Sequence, residues 1–139
     1  EVDMLVSQIN KHKLTNVTFM PAVNQDIYFE MLNEFDIGLF SLHPSHKTHN
    51  FPGKLLGYMN YEKPILGCVN FGNDLKDIVN KNNVGFVTNS VDKDDLLKKA
   101  IYLIENKELR ISMGKNGKKL LENKFSVFSA TSKIEEAFY

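Results

Sequence analysis

The residues best suited to chemistry lie in the segment from His49 to Met59, where a loop runs through Gly53 and Lys54 into a predicted helix. A helix N-terminus presents unpaired backbone N–H groups and the positive end of the helix dipole. Glycine lets a ligand approach the backbone and lysine adds a positive charge, so this segment predicts an anion site. A nucleotide diphosphate is the anion expected there in an α/β domain. Lys54 is the strongest single candidate, and a surface lysine in a first helical turn is the alternative.

Three histidines, His43, His46 and His49, recur every three residues in the loop before this helix. A metal site needs several ligands and groups that orient them, and no acidic or cysteine partner lies nearby in sequence. The pattern therefore favours solvated histidines over a metal site. For His49 two interpretations stay open, a hydrogen bond to a sugar hydroxyl or phosphate oxygen, and a solvated side chain.

The other reactive residue types have structural explanations. Asn73 and Asp74 precede a predicted helix, where capping accounts for them and ligand contact is the alternative. Cys68 lies in an apolar segment, which predicts a buried residue and not a nucleophile. No Ser/His/Asp order, paired acid–base carboxylates, P-loop or Cys-x-x-Cys occurs. The residues thus predict a nucleotide- or phosphate-binding domain without an evident catalytic group.

Composition narrows the functional classes. The chain has 139 residues, of which 42% are hydrophobic and 24% charged, as in an ordinary globular domain. Its formal net charge of zero gives no general electrostatic case for binding nucleic acid. A single cysteine excludes an internal disulfide, and no apolar run approaches the ~20 residues of a membrane span. We therefore predict one domain over residues 1–139.

The elements that must position the anion site alternate between helical and strand periodicity. Helices are predicted at 2–12, 26–35, 53–61, 75–82, 94–105, 107–123 and 126–138, and strands at 16–20, 36–42, 64–69 and 85–88. This order predicts an α/β fold, a Rossmann-like parallel sheet with helices on both faces. Ligands of such sheets bind beyond the carboxyl ends of the strands, which selects the loops 21–25, 43–53 and 70–74.

Two of the predicted helices are strongly amphipathic. Residues 2–12 place Val2, Leu5, Val6 and Ile9 at helical spacing. In the second, Asp92 is the expected cap, and the residues predicted to face the core are Leu96, Leu97, Ala100, Ile101 and Ile104. Among the phenylalanines, Phe51 is the one that lies in the candidate loop.

Four stretches, in order, resemble the C-terminal domain of GT-B glycosyltransferases of retaining family 4: 19–23, 36–40, 51–59 and 63–66. Glu-Leu-Arg at 108–110 and Met-Gly-Lys-Asn-Gly at 113–117 are similar to the tail of that family. The segments 50–59 and 72–75 most resemble WbuB-type transferases, bacterial enzymes of O-antigen and capsule assembly in lipopolysaccharide biosynthesis. These handle acetamido sugars such as N-acetyl-fucosamine. The resemblance covers nearly the whole chain.

The resemblance implies the donor-binding half of an enzyme that transfers an acetamido sugar from UDP to a glycan or lipid-linked acceptor. It implies donor-sugar and diphosphate contacts from His49, Asn50, Phe51, Pro52, Gly53, Lys54 and Leu55. The residues implied near the nucleobase and ribose are Pro21, Ala22, Val23 and Gly57. His49 and Gly57 stand where many members of the family carry glutamates, and the catalytic residues remain unassigned. No metal, cofactor or nucleic acid partner is expected.

The resemblance further implies that the chain is an N-terminally shortened piece of a two-domain enzyme, and we expect it to be inactive alone. The other domain would bind the acceptor. We expect the whole enzyme to be cytoplasmic, at the inner face of the cytoplasmic membrane. Two alternatives remain open, a non-catalytic nucleotide or interaction domain and a half-domain of a UDP-aminosugar epimerase on the same fold.

Overall fold

A three-stranded parallel sheet forms the centre of the protein in a computed structural model that describes residues 2–48 and 50–138. The strands lie in the order β1 (Gly38–Ser41), β2 (Ile65–Val69) and β3 (Gly85–Asn89). Ile65 is the register partner of both Gly38 and Gly85. The helices are α1 (Val2–Lys11), α2 (Gln25–Glu34), α3 (Lys54–Asn60), α4 (Leu75–Lys81), α5 (Lys93–Glu105), α6 (Lys107–Leu120) and α7 (Val127–Phe138), with a π-helical turn, Leu121–Phe125, between α6 and α7.

Helices cover both faces of this sheet, which confirms the predicted α/β architecture. On one face the sheet packs with α2, α3 and α4 in a core whose fully buried members include Leu32, Leu55, Met59, Ile65, Val69, Val79 and Val84. On the other face Leu66 packs with Leu103 of α5 and Met113 of α6. Strand side chains alternate between the two faces, so a short apolar strand supplies both cores. Cys68 is buried, as predicted.

The predicted strand at 16–20 is wrong. Residues 17–24 have no regular secondary structure, and every residue from 16 to 24 is exposed. A strand is stabilised by hydrogen bonds to a neighbouring strand, and this segment pairs with none of the three described strands. Consequently Pro21, Ala22 and Val23 do not follow a strand. The prediction that the loop 21–25 begins at the carboxyl end of a strand is therefore wrong.

The other predicted elements are confirmed with ends that shift by at most two residues, except that the helix at 107–123 gives way to the π-helical turn after Leu120. Asp92 caps α5 as predicted, because its Oδ1 accepts a 3.0 Å hydrogen bond from the Asp95 N–H. Asn24 caps α2 in the same way, accepting a 2.9 Å bond from the Ile27 N–H. In the described part of the chain, no helix is both long enough and apolar enough to cross a membrane.

The inward face of α5 differs from the prediction. Leu97, Ile101 and Ile104 were expected in the core, yet their exposed fractions are 60%, 46% and 65%. The row that packs into the core is formed by Leu96, Ala100 and Leu103. Both rows follow helical spacing, and periodicity alone does not determine which of two adjacent apolar rows meets the sheet.

Candidate functional site

The loops that follow β1, β2 and β3 meet at one edge of the sheet, because the carboxyl ends of parallel strands share an edge. Three hydrogen bonds fasten them there. The Leu42 N–H donates to the Cys68 carbonyl at 2.9 Å, and the Ser90 N–H donates to the Val69 carbonyl at 2.8 Å. The Ser90 hydroxyl donates to the Leu42 carbonyl at 2.7 Å. The predicted loops 43–53 and 70–74 therefore belong to this joined edge.

In the loop between β1 and α3, two histidines contact hydroxyl groups of their own loop. His43 Nδ1 lies 2.6 Å from Ser45 Oγ, and His46 Nε2 lies 2.9 Å from Thr48 Oγ1. The third histidine of the sequence pattern, His49, lies outside the described residues. Across residues 2–48 and 50–138, no three His, Cys, Asp or Glu side chains are grouped so that they could hold a metal ion.

The start of α3 carries the residues predicted to hold phosphate. Gly53 is the N-cap and gives the helix no side-chain cap. The Leu55 N–H donates to the Pro52 carbonyl at 3.0 Å and the Leu56 N–H to the Gly53 carbonyl at 3.1 Å. Two backbone donors of this first turn are therefore already used, so an anion here would depend mainly on the lysine charge and not on backbone groups.

Lys54, the first residue of α3, has the exposure that such a role requires. Its side chain is exposed, and within the described part of the chain it makes no ion pair or hydrogen bond. An ammonium group without a protein partner is available for a phosphate oxygen. By contrast, the neighbouring Phe51 ring packs against Phe125 with 4.9 Å between ring centroids, which leaves its backbone as the part that a ligand could reach.

A cavity of about 580 Å³ lies between α2 and α3 and extends to the N-terminal end of α3, at Gly53 and Lys54. Its lining combines aromatic rings, amide groups, one lysine and a stretch of bare helix backbone. The lining residues are Gln25, Tyr28, Phe29, Gly53, Lys54, Leu56, Gly57, Asn60 and Leu121. Apolar walls with a few polar groups are typical of small-molecule sites, and this volume lies in their usual range of roughly 300–1,000 Å³.

Three residues predicted for the site from the sequence, Gly53, Lys54 and Gly57, line this cavity. Tyr28 and Phe29 of α2 also line it and were not predicted. Tyr28 and Phe29 follow Gln25 by three and four residues, which places all three side chains on one face of a helix. The spacing does not show which other helix that face contacts. Pro21, Ala22 and Val23 are exposed and are not part of the cavity lining.

Tyr28 of α2 and Tyr58 of α3 lie near each other, and Tyr58 also contacts β1. The Tyr58 hydroxyl donates to the Leu39 carbonyl at 3.0 Å and so ties α3 to β1. Burial raises the pKa of Tyr58 to about 12, and the nearby Tyr28 adds to this shift. Burial also raises the pKa of Tyr28. Both phenols therefore keep their protons to a higher pH than an exposed tyrosine does.

The loop after β2 is held by its own amides. Asn73 Nδ2 donates to Asn70 Oδ1 at 3.1 Å, and Asn73 Oδ1 accepts a 3.0 Å bond from the Leu75 N–H. Both asparagines are buried, and Gly72 supplies the positive φ of 79° that the turn needs. Asn73 thus bonds the first N–H of α4, as the capping interpretation predicted, whereas Asp74 occupies the N-cap position without a side-chain cap hydrogen bond. Phe71 projects from this loop with 90% of its surface exposed.

Comparison with known families matches residues 1–120 to the model described as glycosyl transferases group 1. The match covers the sheet, α4 to α6, and every residue that lines the cavity between α2 and α3 except Leu121. No curated protein matches the chain.

Proposed function

The chain belongs to the group 1 glycosyl transferases, and from this premise we propose that it is the donor-binding half of a retaining enzyme. The proposed donor is a UDP-linked acetamido sugar. The proposed acceptor is a glycan or a lipid-linked glycan of bacterial surface polysaccharide, bound by a further domain at the inner face of the membrane. Sugar transfer and the half-GT-B fold follow from the family and the parallel sheet, and the finer assignments are our proposal.

One observation carries the proposal that the donor binds here. Lys54 lies at the carboxyl edge of the sheet, lines the largest cavity described, and has no ion-pair partner among the described residues. A nucleoside diphosphate needs a cation for its diphosphate and an apolar wall with polar groups for its nucleoside. Lys54 supplies the first, and the aromatic and amide side chains beside it supply the second.

The same arrangement supports a role in the reaction itself. In the transfer, an oxygen of an acceptor hydroxyl forms a bond to the anomeric carbon of the sugar, and the bond between that carbon and the diphosphate oxygen breaks. The bonding electron pair stays on the departing UDP, whose diphosphate takes up the proton of the acceptor hydroxyl. A positive group fixed beside the diphosphate stabilises the charge that develops there. We assign this role to the charged side chain of Lys54, with no bound metal required.

Calorimetric titration with UDP, GDP and a UDP-linked acetamido sugar tests the proposal. We expect the chain to bind UDP and the UDP-sugar more tightly than GDP. We expect Lys54→Ala to weaken UDP binding by about tenfold. This is the lower limit for a hydrogen bond to a charged group, and we choose it because the site is open to solvent. Lys93→Ala is the matched control, since Lys93 is likewise exposed and likewise the first residue of a helix. The control should leave binding unchanged.

Two results would contradict the proposal. The first is that neither UDP nor the UDP-sugar binds to the chain. The second is that Lys54→Ala and Lys93→Ala have equal effects on UDP affinity, which would mean that Lys54 contributes only to the general charge of the surface.

A further inference from the structure

Phe71 is the most exposed large apolar side chain of the described residues, with 90% of its surface accessible. It follows the end of β2, the middle strand of the sheet, by two residues and lies in the loop that leads into α4. A phenylalanine ring left in water forgoes the free energy that its burial would release. At the carboxyl edge of the sheet, a bound ligand can cover this ring.

The turn that carries Phe71 is fastened on both sides of the ring. Asn73 Nδ2 donates to Asn70 Oδ1 at 3.1 Å, and both amide side chains are buried. The Asn73 N–H also donates to the Asn70 carbonyl at 3.3 Å. Gly72 supplies a positive φ of 79° directly after the ring. A ring presented by such a turn binds a ligand with little further cost of ordering.

The order of the helices places this loop beside the start of α3. Helix α2 packs against α3, and α3 contacts both β1 and β2. Helix α4 packs against β2 and β3. Because β2 lies between β1 and β3, α3 lies between α2 and α4 on this face of the sheet. The cavity is therefore on the α2 side of α3, and the loop of Phe71 is on the α4 side.

A sugar nucleotide bound as proposed reaches from one side of α3 to the other. Its diphosphate joins the nucleoside to the sugar, so these two parts lie on opposite sides of the phosphate groups. With the nucleoside in the cavity and the diphosphate at Lys54, the sugar lies past the start of α3, toward the loop that begins α4. Phe71 is the exposed ring in that loop.

We infer that Phe71 is a specificity-determining residue whose ring packs against the apolar part of the transferred sugar. This inference rests on the proposed function. A pyranose ring carries C–H groups on its faces, and an acetamido group adds a methyl group. Both gain free energy when they leave water for an aromatic surface. Phe71 thereby contributes to the affinity for the sugar and not to the affinity for the nucleotide.

The test compares UDP with UDP-N-acetylglucosamine by calorimetric titration of the unaltered chain and of Phe71→Ala. The measured quantity is the affinity for the UDP-sugar divided by the affinity for UDP, taken within each variant. We expect Phe71→Ala to lower this ratio about three- to tenfold, the range for one aromatic contact. Phe71→Tyr keeps the aromatic ring and should keep the ratio.

Phe138→Ala is the matched control, because Phe138 is 82% exposed but lies at the end of α7 and not in a loop that follows a strand. The control should leave the ratio unchanged. Three results, obtained while UDP binds, would overturn the role of Phe71 and leave the site for UDP standing: no binding of the UDP-sugar, an unchanged ratio in Phe71→Ala, or an equal fall in Phe71→Tyr or Phe138→Ala. If UDP does not bind to the unaltered chain at all, both the role of Phe71 and the proposed function are overturned.

Discussion

At the scale of single residues, Gly57 exposes helix backbone to the cavity between α2 and α3, because it has no side chain. The same lack of a Cβ weakens α3, since glycine in a helix interior costs about 1 kcal/mol relative to alanine. The space at Gly57 accepts a Cβ, whose closest contact would be an ordinary 3.4 Å from Leu32 Cδ1. Packing around α3 therefore does not require a glycine at this position.

The variant Gly57→Ala should stabilise the protein by about 0.5–1 kcal/mol, measured as the free energy of unfolding in urea. Gly114→Ala is the matched comparison, because Gly114 also lies inside a helix but its Cβ would overlap the Glu62 carbonyl. That variant should be destabilised, by roughly 1–3 kcal/mol for such overpacking. If Gly57→Ala is destabilised as well, the space described at Gly57 is not there.

Single residues also mark the limit of prediction from sequence. Gly53 and Lys54 were predicted from residue type at the start of one helix and Gly57 from the family resemblance, and all three line the cavity between α2 and α3. Tyr28 lies on a separate helix, and only the packing of α2 against α3 brings its hydroxyl to the cavity. No local pattern contains that information.

At the scale of elements, α3 is positioned by its contact with β1. Gly38 has no side chain, so the Tyr58 ring can lie directly against the strand and donate its hydrogen bond to Leu39. The resulting burial holds the Tyr58 pKa at about 12, against 10.0 for an exposed tyrosine. The strand thereby fixes the position of the helix whose first residues form the proposed phosphate site.

This contact predicts a stability loss in alkali. Because the folded-state pKa of Tyr58 is raised, its contribution is complete below pH 10 and is lost as the pH rises toward 12. Between these values the unfolded chain releases the proton while the folded chain retains it. The unaltered protein should lose about 2 kcal/mol more than Tyr58→Phe by pH 12, as measured by urea unfolding at each pH. Equal losses in both proteins would contradict the burial of this hydroxyl.

Helices and strands with their own apolar periodicity were predicted correctly. Features that depend on packing against other elements were predicted less well. The helices and the strands at 36–42, 64–69 and 85–88 were confirmed because each carries its own apolar pattern. The segment 16–20 has a strand pattern but no partner strand among the described residues. For α5, the sequence identified the helix but not which apolar row packs, since that choice depends on the sheet.

At the scale of the whole molecule, the buried residues lie in the middle of the chain, between α2 and α6. Helix α1 forms as predicted, yet none of its residues is buried. The two cores are built instead from α2 to α6 and the sheet. The proposed donor site lies within this packed part, so its geometry is fixed by the cores and not by α1.

The central claim is that a uridine diphosphate occupies the cavity between α2 and α3. Chemical-shift mapping with UDP on the isotopically labelled chain tests this most directly, because it locates the ligand and does not depend on a substitution. We expect the largest amide shifts to fall on Tyr28, Gly53, Lys54 and Gly57, with little change in α5. Shifts confined to other surfaces, or no shifts at millimolar UDP, would contradict this claim.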